Sequence, residues 1–235
     1  MINYNEEESV TILAPAYNEE KNITLLLNEL KENIPIHWKV LIVNDGSKDS
    51  TEYELLKLKE RYKNFDFISH KRNLGIGKAF ETGFNNIHTE YVITIDADMS
   101  HGIEMINILY LNRNKSDVVL ASIFDKSSNV EKASKIRLFI SKIGNIFLSL
   151  IFGFEIKEIA GGPRIYKSKY VKNIKIYNTG FESQIEILLY AKKMGAKFSE
   201  VPIVLTKRAY GKSKMNYQKM LIGILRVYFK YLRNR

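Results

Sequence analysis

The sequence predicts an α/β protein in which helices cover a mostly parallel sheet. Short apolar runs alternate with amphipathic runs along roughly the first 120 residues, the order expected of such a fold. Acidic or polar side chains follow directly after several of the apolar runs. Because the carboxyl ends of parallel strands share one edge of a sheet, the same pattern predicts a ligand site at that edge.

The first strand is predicted at residues 10–14 and breaks at Pro15-Ala16-Tyr17. Asn18 is a suitable N-cap for the next helix, whose first turn carries Glu19 and Glu20 to oppose the helix dipole. The other strands of this part are predicted at 38–43, 65–69, 91–95 and 117–122, with helices that end near residues 62, 85 and 113.

The pattern is less regular in the second half of the chain. It predicts an apolar helix at 135–152, a helix at 182–194, a strand at 201–208 and a final helix from Tyr217. We therefore expect one main domain at 1–212, followed by a basic amphipathic helix at 213–235.

The composition excludes several kinds of chemistry. There is no cysteine, so disulfides, thiolate nucleophiles and cysteine-ligated zinc are absent. Residues 6–8 are all glutamate, unlike a secretory or mitochondrial leader, and no apolar run reaches the roughly 18 residues of a membrane span. The sequence thus predicts a cytoplasmic location.

The net charge of +10 is concentrated near the C-terminus. Residues 201–235 contain nine of the 36 cationic side chains and no acidic one, so the rest of the chain is almost neutral. This distribution argues against a general nucleic-acid binder and favours one local anionic partner. In the final helix the cations lie on one narrow stripe, formed by Lys219, Arg226, Lys230 and Arg233.

Both late helices have a broad apolar face. At 135–152 the polar positions Ser141, Asn145 and Ser149 recur every four residues, which fits a core helix or an interface. The final helix is expected to pack on its own domain, and an anionic membrane surface is the next interpretation.

Asp96 and Asp98 are the strongest functional signal. They close the apolar run 91–95, and in an extended chain positions i and i+2 point the same way, so both carboxylates are able to bind one hard cation. Such an ion completes its coordination with phosphate and water, which suggests a nucleotide diphosphate ligand. Asp45 and Tyr17 end strands on the same predicted edge, where they offer a hydrogen-bond acceptor and a flat ring.

Two loops add weaker signals. The segment 73–78 contains two glycines but fits neither a Walker loop nor a dinucleotide fingerprint, so we interpret it as a tight loop that starts a helix near the ligand. Arg208 and Lys214 lie on either side of Gly211, where a flexible loop is able to bring both cations onto a diphosphate. Solvated surface charge is the alternative.

Six motifs in order resemble the family 2 glycosyltransferases of GT-A fold, in particular the dolichol-phosphate mannose synthases and related polyprenyl-phosphate glycosyltransferases. The resemblance covers about residues 8–225. The motifs are Pro15-Ala16-Tyr17-Asn18-Glu19, Val43-Asn44-Asp45-Gly46-Ser47, Asp96-Ala97-Asp98-Met99-Ser100-His101, Gly162-Pro163-Arg164, Val201-Pro202-Ile203, and Arg208 with Gly211-Lys212-Ser213-Lys214.

This resemblance implies an inverting transferase, with 1–212 as its catalytic domain, that moves mannose or glucose from a nucleotide-diphospho-sugar to a polyprenyl phosphate. It implies Mg²⁺ or Mn²⁺ as cofactor and assigns three sets of residues. Pro15, Tyr17, Glu19, Val43, Asp45, Asp96 and Ala97 bind the nucleotide; Asp96, Asp98 and Ser100 bind the metal; and Asp98, Arg208 and Lys214 act in catalysis.

The implied partners are the acceptor lipid and the cytoplasmic face of a membrane, which Lys135–Phe152 and Tyr217–Arg233 would contact, with a small membrane subunit as a further possibility and no nucleic acid. The chain departs from many relatives at three positions. Ser100 replaces a metal-binding Gln, Ile123 replaces an Arg whose role Lys126 or Arg137 would take, and Pro163 replaces a Phe.

Two other functions stay open from the sequence. A transferase acting on a glycan hydroxyl would need a general base, and Glu158, Glu182 and Glu186 are the available carboxylates. A non-catalytic sensor or scaffold that binds nucleotide sugars would explain the missing arginine at position 123.

Overall fold

A twisted sheet of seven strands forms the centre of the protein. The computed structural model describes residues 4, 7–125, 127–128, 135–203 and 217–233. The strands are β1 Val10–Ala16, β2 Lys39–Asn44, β3 Phe65–Ser69, β4 Tyr91–Thr94, β5 Val118–Ser122, β6 Arg164–Lys167 and β7 Phe198–Pro202. The helices are α1 Glu20–Asn33, α2 Thr51–Arg61, α3 Ile76–Asn85, α4 Glu104–Leu111, α5 Lys135–Phe152, α6 Ser183–Lys193 and α7 Tyr217–Arg233.

The order of the strands determines which edge of the sheet contains a crevice. The sheet runs β3-β2-β1-β4-β6-β5-β7, and all strands are parallel except β6, which pairs antiparallel with β4 and β5. From β1 the chain goes first to β2 and β3 on one side and later to β4 on the other. The connections therefore diverge between β1 and β4, which leaves a crevice at the carboxyl ends of these strands.

Apolar side chains on both faces of the sheet hold the helices in place. On one face Leu26 of α1 and Leu55 of α2 pack with Ile12 and Ile42 of the central strands, all at most 2 % exposed. On the other face Phe84 of α3 packs in the second cluster, together with side chains of α5 and α6. The predicted α/β class is thus confirmed, with a mixed sheet between two helical layers.

The structure contains one strand that the sequence did not predict and differs from two local predictions. β6 was not predicted, because its four residues begin with an arginine, yet Arg164 is fully buried. The strand expected at 201–208 lies at 198–202, and 204–208 are outside the described residues. Asn18 does not cap α1, since its Oδ1 accepts a hydrogen bond from the Lys48 amide at 2.8 Å instead.

Helices α5 and α7 carry apolar side chains both toward the protein and outward, and α5 also turns two polar side chains inward. Asn145 Oδ1 accepts hydrogen bonds from the amides of Ile159 and Ala160 at 3.0 and 2.9 Å, and the Ser149 hydroxyl donates to the carbonyl of Phe154 at 3.0 Å. The outward face of α5 consists of Phe139, Ile140, Ile143, Ile146, Phe147 and Leu150, all exposed.

Helix α7 is likewise apolar on both sides, with Val227 only 3 % exposed on the side that faces the protein. Lys230 turns inward, donates to Glu186 at 3.1 Å and lies over the Tyr177 ring. The exposed side chains include Ile222, Leu225, Phe229 and Leu232. Phe152 at the end of α5 contacts the rings of Tyr228 and Tyr231 of α7, so the two helices are neighbours. Within the described residues, none of the helices combines the length and apolarity that crossing a bilayer requires.

Gly77 allows α3 to approach the segment before α6, and its substitution should destabilise the fold. A Cβ at position 77 would overlap the backbone carbonyl oxygen of Asn178, whereas a Cβ at Gly144 of α5 meets nothing within 4 Å. We expect Gly77→Ala to lower the free energy of unfolding by about 1–3 kcal/mol. The matched variant Gly144→Ala should be neutral or stabilising by up to about 1 kcal/mol. Urea denaturation measures the free energy of unfolding of both variants and of wild type. A Gly77→Ala variant as stable as Gly144→Ala would contradict this packing.

Candidate active site

A cleft of about 700 Å³ opens at the carboxyl ends of β1, β2 and β4. Its lining comes from the turns after these strands, from the loop that starts α3, from residues 179–182 and from α7. Sequence positions that are far apart thus converge at the predicted edge of the sheet. Of the predicted site residues, Pro15, Tyr17, Glu19, Asp45, Asp96, Ala97 and Asp98 line this cleft.

The turn after β4 presents the acidic pair. Asp98 is only 7 % exposed, and one of its carboxylate oxygens accepts the Ser100 amide hydrogen bond at 3.0 Å. Met99 has a positive φ of 58°, which reverses the chain between the acids and α4. Asp96 is more exposed, and its Oδ2 lies 3.3 Å from Nε2 of His101. The turn therefore holds one buried and one accessible carboxylate on the same cleft.

These two carboxylates fit a hard divalent cation that takes its other ligands from a bound diphosphate. Mg²⁺ and Mn²⁺ prefer oxygen donors, and Mg²⁺ is commonly held by one or two carboxylates together with substrate phosphates. The described residues contain no cluster of three or more His, Asp or Glu side chains that would hold a metal without a substrate. His101 is the nearest nitrogen donor, and its Nδ1 is buried without a hydrogen bond.

Asp45 organises the loop before α3. Its carboxylate accepts the amide hydrogen bonds of Leu74 and Gly75 at 2.9 and 2.8 Å and lies 2.8 Å from Nδ1 of His70. His70 in turn contacts the Thr82 hydroxyl of α3 at 2.8 Å. Asp45 is 3 % exposed, so much of its hydrogen-bonding capacity is used within the protein. We predicted a ligand contact for Asp45, and the structure adds a role in positioning Gly75, which also lines the cleft.

Two predicted site residues are not among those that line the cleft. Val43 is fully buried in β2, opposite Pro15 in the parallel ladder, and its side chain belongs to the core cluster with Phe80 and Phe84. Ser100 follows the acidic turn and, like Val43, is not part of the cleft lining. Ile123 is also buried away from the cleft. The binding roles predicted for Val43 and Ser100 stay predictions.

Residues 179–182 form a wall that the sequence did not predict. Thr179 accepts the Gly77 amide hydrogen bond at 3.2 Å through its carbonyl, which ties this wall to α3. Glu186 of α6 accepts the amides of Tyr177 and Asn178 at 3.1 and 2.9 Å. Hydrogen bonds from backbone amides to a carboxylate leave no pattern in the sequence. Of residues 179–182, the sequence therefore indicated only Glu182, as a candidate base.

Helix α7 completes the cleft through Ile222 and Arg226. Among the residues that line it, five are acidic and Arg226 is the one cation. Arg226 was predicted as part of a basic stripe, but not as a cleft residue. The catalytic cations predicted at Arg208 and Lys214 lie outside the described residues, as do Lys126 and the boundary at residues 212 and 213.

The structure separates the three carboxylates proposed as a general base. Glu186 is occupied by the amides of residues 177 and 178 and by Lys230. Glu158 is buried beside Arg164 and does not line the cleft. Glu182 does line it, with one oxygen accepting the Gly180 amide hydrogen bond at 3.2 Å. Of the three, Glu182 alone lines the cleft.

Comparison with known proteins gives the family. The model of the family described as "Glycosyl transferase family 2" matches residues 11–175, which is more than half of the chain and includes every strand end that lines the cleft. The chain belongs to glycosyl transferase family 2. The protein is therefore a glycosyltransferase, as the sequence motifs implied.

Curated relatives of this glycosyltransferase have related names. It is 29 % identical over 248 residues to "Dolichyl-phosphate beta-glucosyltransferase ALG5D" of Trichomonas vaginalis, covering 96 % of this chain and 74 % of the relative. It is 27 % identical over 231 residues to "Dolichol-phosphate mannosyltransferase" of Pyrococcus furiosus, covering 96 % and 62 % respectively. The chain thus spans less than two thirds of the second relative.

Solved structures show the same fold. Staphylococcus aureus TarS 1–349 superposes with a TM-score of 0.62 at 20 % identity, covering 96 % of this chain and 66 % of that chain. Glucosyl-3-phosphoglycerate synthase from Mycobacterium tuberculosis, in complex with Mn²⁺, UDP and glucosyl-3-phosphoglycerate, gives 0.63 at 14 % identity, covering 96 % and 78 %. The GT-A fold of this glycosyltransferase is thereby confirmed.

Burial raises the pKa of Glu158 to about 7 from 4.5, against the opposing effect of the neighbouring Arg164 guanidinium. Between these values the folded protein keeps a proton that the unfolded chain has lost, so stability falls as pH rises from about 4.5 to 7. Glu158→Gln removes this titration. We expect the stability of the variant relative to wild type to increase by roughly 1–3 kcal/mol between pH 5 and pH 8.

Urea unfolding of both proteins across this pH range measures the difference. Glu155→Gln, at an exposed position three residues earlier, is the control and should leave the pH profile unchanged. Parallel profiles for wild type and Glu158→Gln would show that Glu158 does not titrate in this range.

Proposed function

We propose that this glycosyltransferase moves a hexose from a nucleotide-diphospho-sugar to a polyprenyl phosphate such as dolichyl phosphate, at the surface of a membrane. The observation that carries the proposal is the position of α7, which lines the cleft with Ile222 and Arg226 while exposing Leu225 and Phe229. An acceptor with a phosphate head and an apolar chain matches this combination. The names of the curated relatives support the same acceptor class.

The donor would occupy the β1 and β2 side of the cleft. Tyr17 and the loop ordered by Asp45 would contact the nucleoside, and Asp96 with Asp98 would hold Mg²⁺ or Mn²⁺ against the diphosphate. When bound, the metal would supply charge that stabilises the departing diphosphate. Mn²⁺ and UDP are named for the Mycobacterium tuberculosis synthase. Because relatives are named for both glucose and mannose, GDP-mannose and UDP-glucose are both candidate donors.

The transfer needs little proton chemistry when the acceptor is a phosphate. A phosphate oxygen attacks the anomeric carbon from the face opposite the leaving group, the bond from that carbon to the donor phosphate breaks, and a nucleoside diphosphate leaves. With a second pKa near 6, as in phosphoamino acids, the acceptor is already ionised at neutral pH. The chain's contribution is then to position both substrates and exclude water. A hydroxyl acceptor would instead need a base, and Glu182 is the carboxylate available on the far wall.

Contact with a membrane through α5 and α7 is part of the proposal. Their outward faces contain ten large apolar side chains that are at least 42 % exposed, among them Leu150 at 74 % and Phe229 at 65 %. Contiguous apolar faces of this kind are typical of surfaces that bind a membrane or a protein partner. We choose the membrane because α7 borders the cleft and the proposed acceptor is itself a membrane lipid.

The acceptor is tested by incubating the protein with Mn²⁺ and radiolabelled GDP-mannose or UDP-glucose. Dolichyl phosphate, dolichol and a water-soluble oligosaccharide serve as alternative acceptors. We expect label in the organic phase with dolichyl phosphate and not with dolichol. Asp98→Asn should reduce transfer by about 100-fold or more, since it removes the charge of one of the two carboxylates proposed to hold the metal against the diphosphate. The control Asp66→Asn, an exposed acid of β3, should transfer normally. Label confined to the oligosaccharide would overturn the lipid acceptor.

The membrane contact is tested by cosedimentation with vesicles of neutral and anionic phospholipid. Burying a large apolar side chain contributes about 1.5–3 kcal/mol, so the double variant Phe147→Ser, Leu150→Ser should lower vesicle binding by more than about tenfold. Leu111→Ser, at an exposed leucine at the end of α4, is the control and should bind as wild type does. Equal binding by all three proteins would contradict a membrane-contacting α5.

A further inference from the structure

We propose that Arg226 binds a phosphate group at the α7 side of the cleft, and that this phosphate belongs to the lipid acceptor. The inference rests on the proposed function and extends it to one residue. Two phosphate sources would enter the cleft, the donor diphosphate and the acceptor head group. Arg226 lies on the same wall as Ile222, while the residues placed against the donor come from the opposite strand ends.

Arg226 is a cation in an otherwise acidic cleft. The lining includes Asp96, Asp98 and Glu182, yet no described carboxylate lies within ion-pair distance of the Arg226 guanidinium. By contrast, Lys230 one turn later is already paired with Glu186. The guanidinium is therefore available to a ligand, and its planar fork of donors matches the oxygens of a phosphate.

The packing of α7 fixes where the backbone of Arg226 lies beside the cleft. Gly223 sits against the side chain of Glu182 so closely that a Cβ there would overlap it. Val227 is 3 % exposed, and Lys230 is held by Glu186 and the Tyr177 ring. These contacts bracket Arg226 on both sides within the same helix. The position at the cleft is thus set by the protein core and not by the arginine itself.

The apolar surface of α7 beside the cleft favours the lipid phosphate over the donor diphosphate. Ile222 lines the cleft and is also 52 % exposed, and Leu225 and Phe229 continue the apolar surface along the helix from it. A lipid phosphate with its chain on this surface would place its head group at Arg226. A nucleoside diphosphate has no apolar chain that would contact this surface.

The test compares Arg226→Gln with Arg233→Gln. Both arginines are exposed on α7 and lie two helical turns apart on one side, but Arg233 does not line the cleft. Calorimetry measures the affinity for farnesyl phosphate, with farnesol as the probe that lacks phosphate, and separately the affinity for GDP and UDP with Mn²⁺. Steady-state assays give KM for dolichyl phosphate and for the donor.

We expect Arg226→Gln to weaken farnesyl phosphate binding and raise KM for dolichyl phosphate by about tenfold, the effect of losing one charged hydrogen bond. Farnesol binding, nucleotide affinity and donor KM should stay within about twofold of wild type, a margin of about 0.4 kcal/mol. Arg226→Lys should give an intermediate loss because it keeps the charge without the fork. Arg233→Gln should match wild type.

Three results would overturn the inference. A loss confined to nucleotide affinity would assign Arg226 to the donor. Unchanged values of the acceptor KM and of the farnesyl phosphate affinity would show that Arg226 does not bind the acceptor. Equal losses in Arg226→Gln and Arg233→Gln would indicate a general charge effect. If wild type itself transfers no sugar to dolichyl phosphate, the proposed function fails. If wild type transfers and Arg226→Gln transfers equally well, only the role of Arg226 fails.

Discussion

Parallel pairing of β1 with both β2 and β4 is the constraint on which the candidate active-site cleft depends. Because all three strands run the same way, the turns that follow them open on one edge of the sheet. Because the chain leaves β1 toward opposite sides to reach its two neighbours, no crossover helix fills the space between those turns. Tyr17, Asp45 and Asp98 are distant in sequence and meet for this reason. The antiparallel β6 pairs with the far side of β4, and its first residue, Arg164, lies opposite Thr94 at the end of β4.

Carboxylates fix the parts of the cleft that have no regular secondary structure. Asp45 accepts backbone amides from the loop before α3, and Glu186 accepts backbone amides from the segment before α6. Buried backbone donors need partners, and a loop lacks the ladder that supplies them in a strand. The two carboxylates therefore take the place of secondary structure on opposite walls. Gly77 lets those walls touch, since its amide donates to the carbonyl of Thr179.

How far the sequence predicts this arrangement depends on whether the cause is local. The acidic pair was predictable because alternation along a strand and the edge rule are local and topological constraints. β6 was not, because Arg164 is stabilised in the core by distant partners, the carbonyls of Ile159 and Gln184. Periodicity likewise shows which residues of α5 and α7 share a face, but not which face is buried. Asn145 and Lys230 turn inward because amides and a carboxylate from other segments meet them there.

On the proposed function, the exposed apolar face of α7 links membrane contact to acceptor binding. The helix packs on Glu182 through Gly223, so any displacement of the helix would open the cleft wall and move Arg226 away from it. Its exposed residues, including Leu225 and Phe229, face water when the protein is free, and their transfer into a bilayer is favourable by about 25 cal/mol per Å². On the proposed function, the surface that holds the acceptor lipid thus also stabilises the helix that binds the lipid's phosphate. The acceptor site would then be most complete where the acceptor is present.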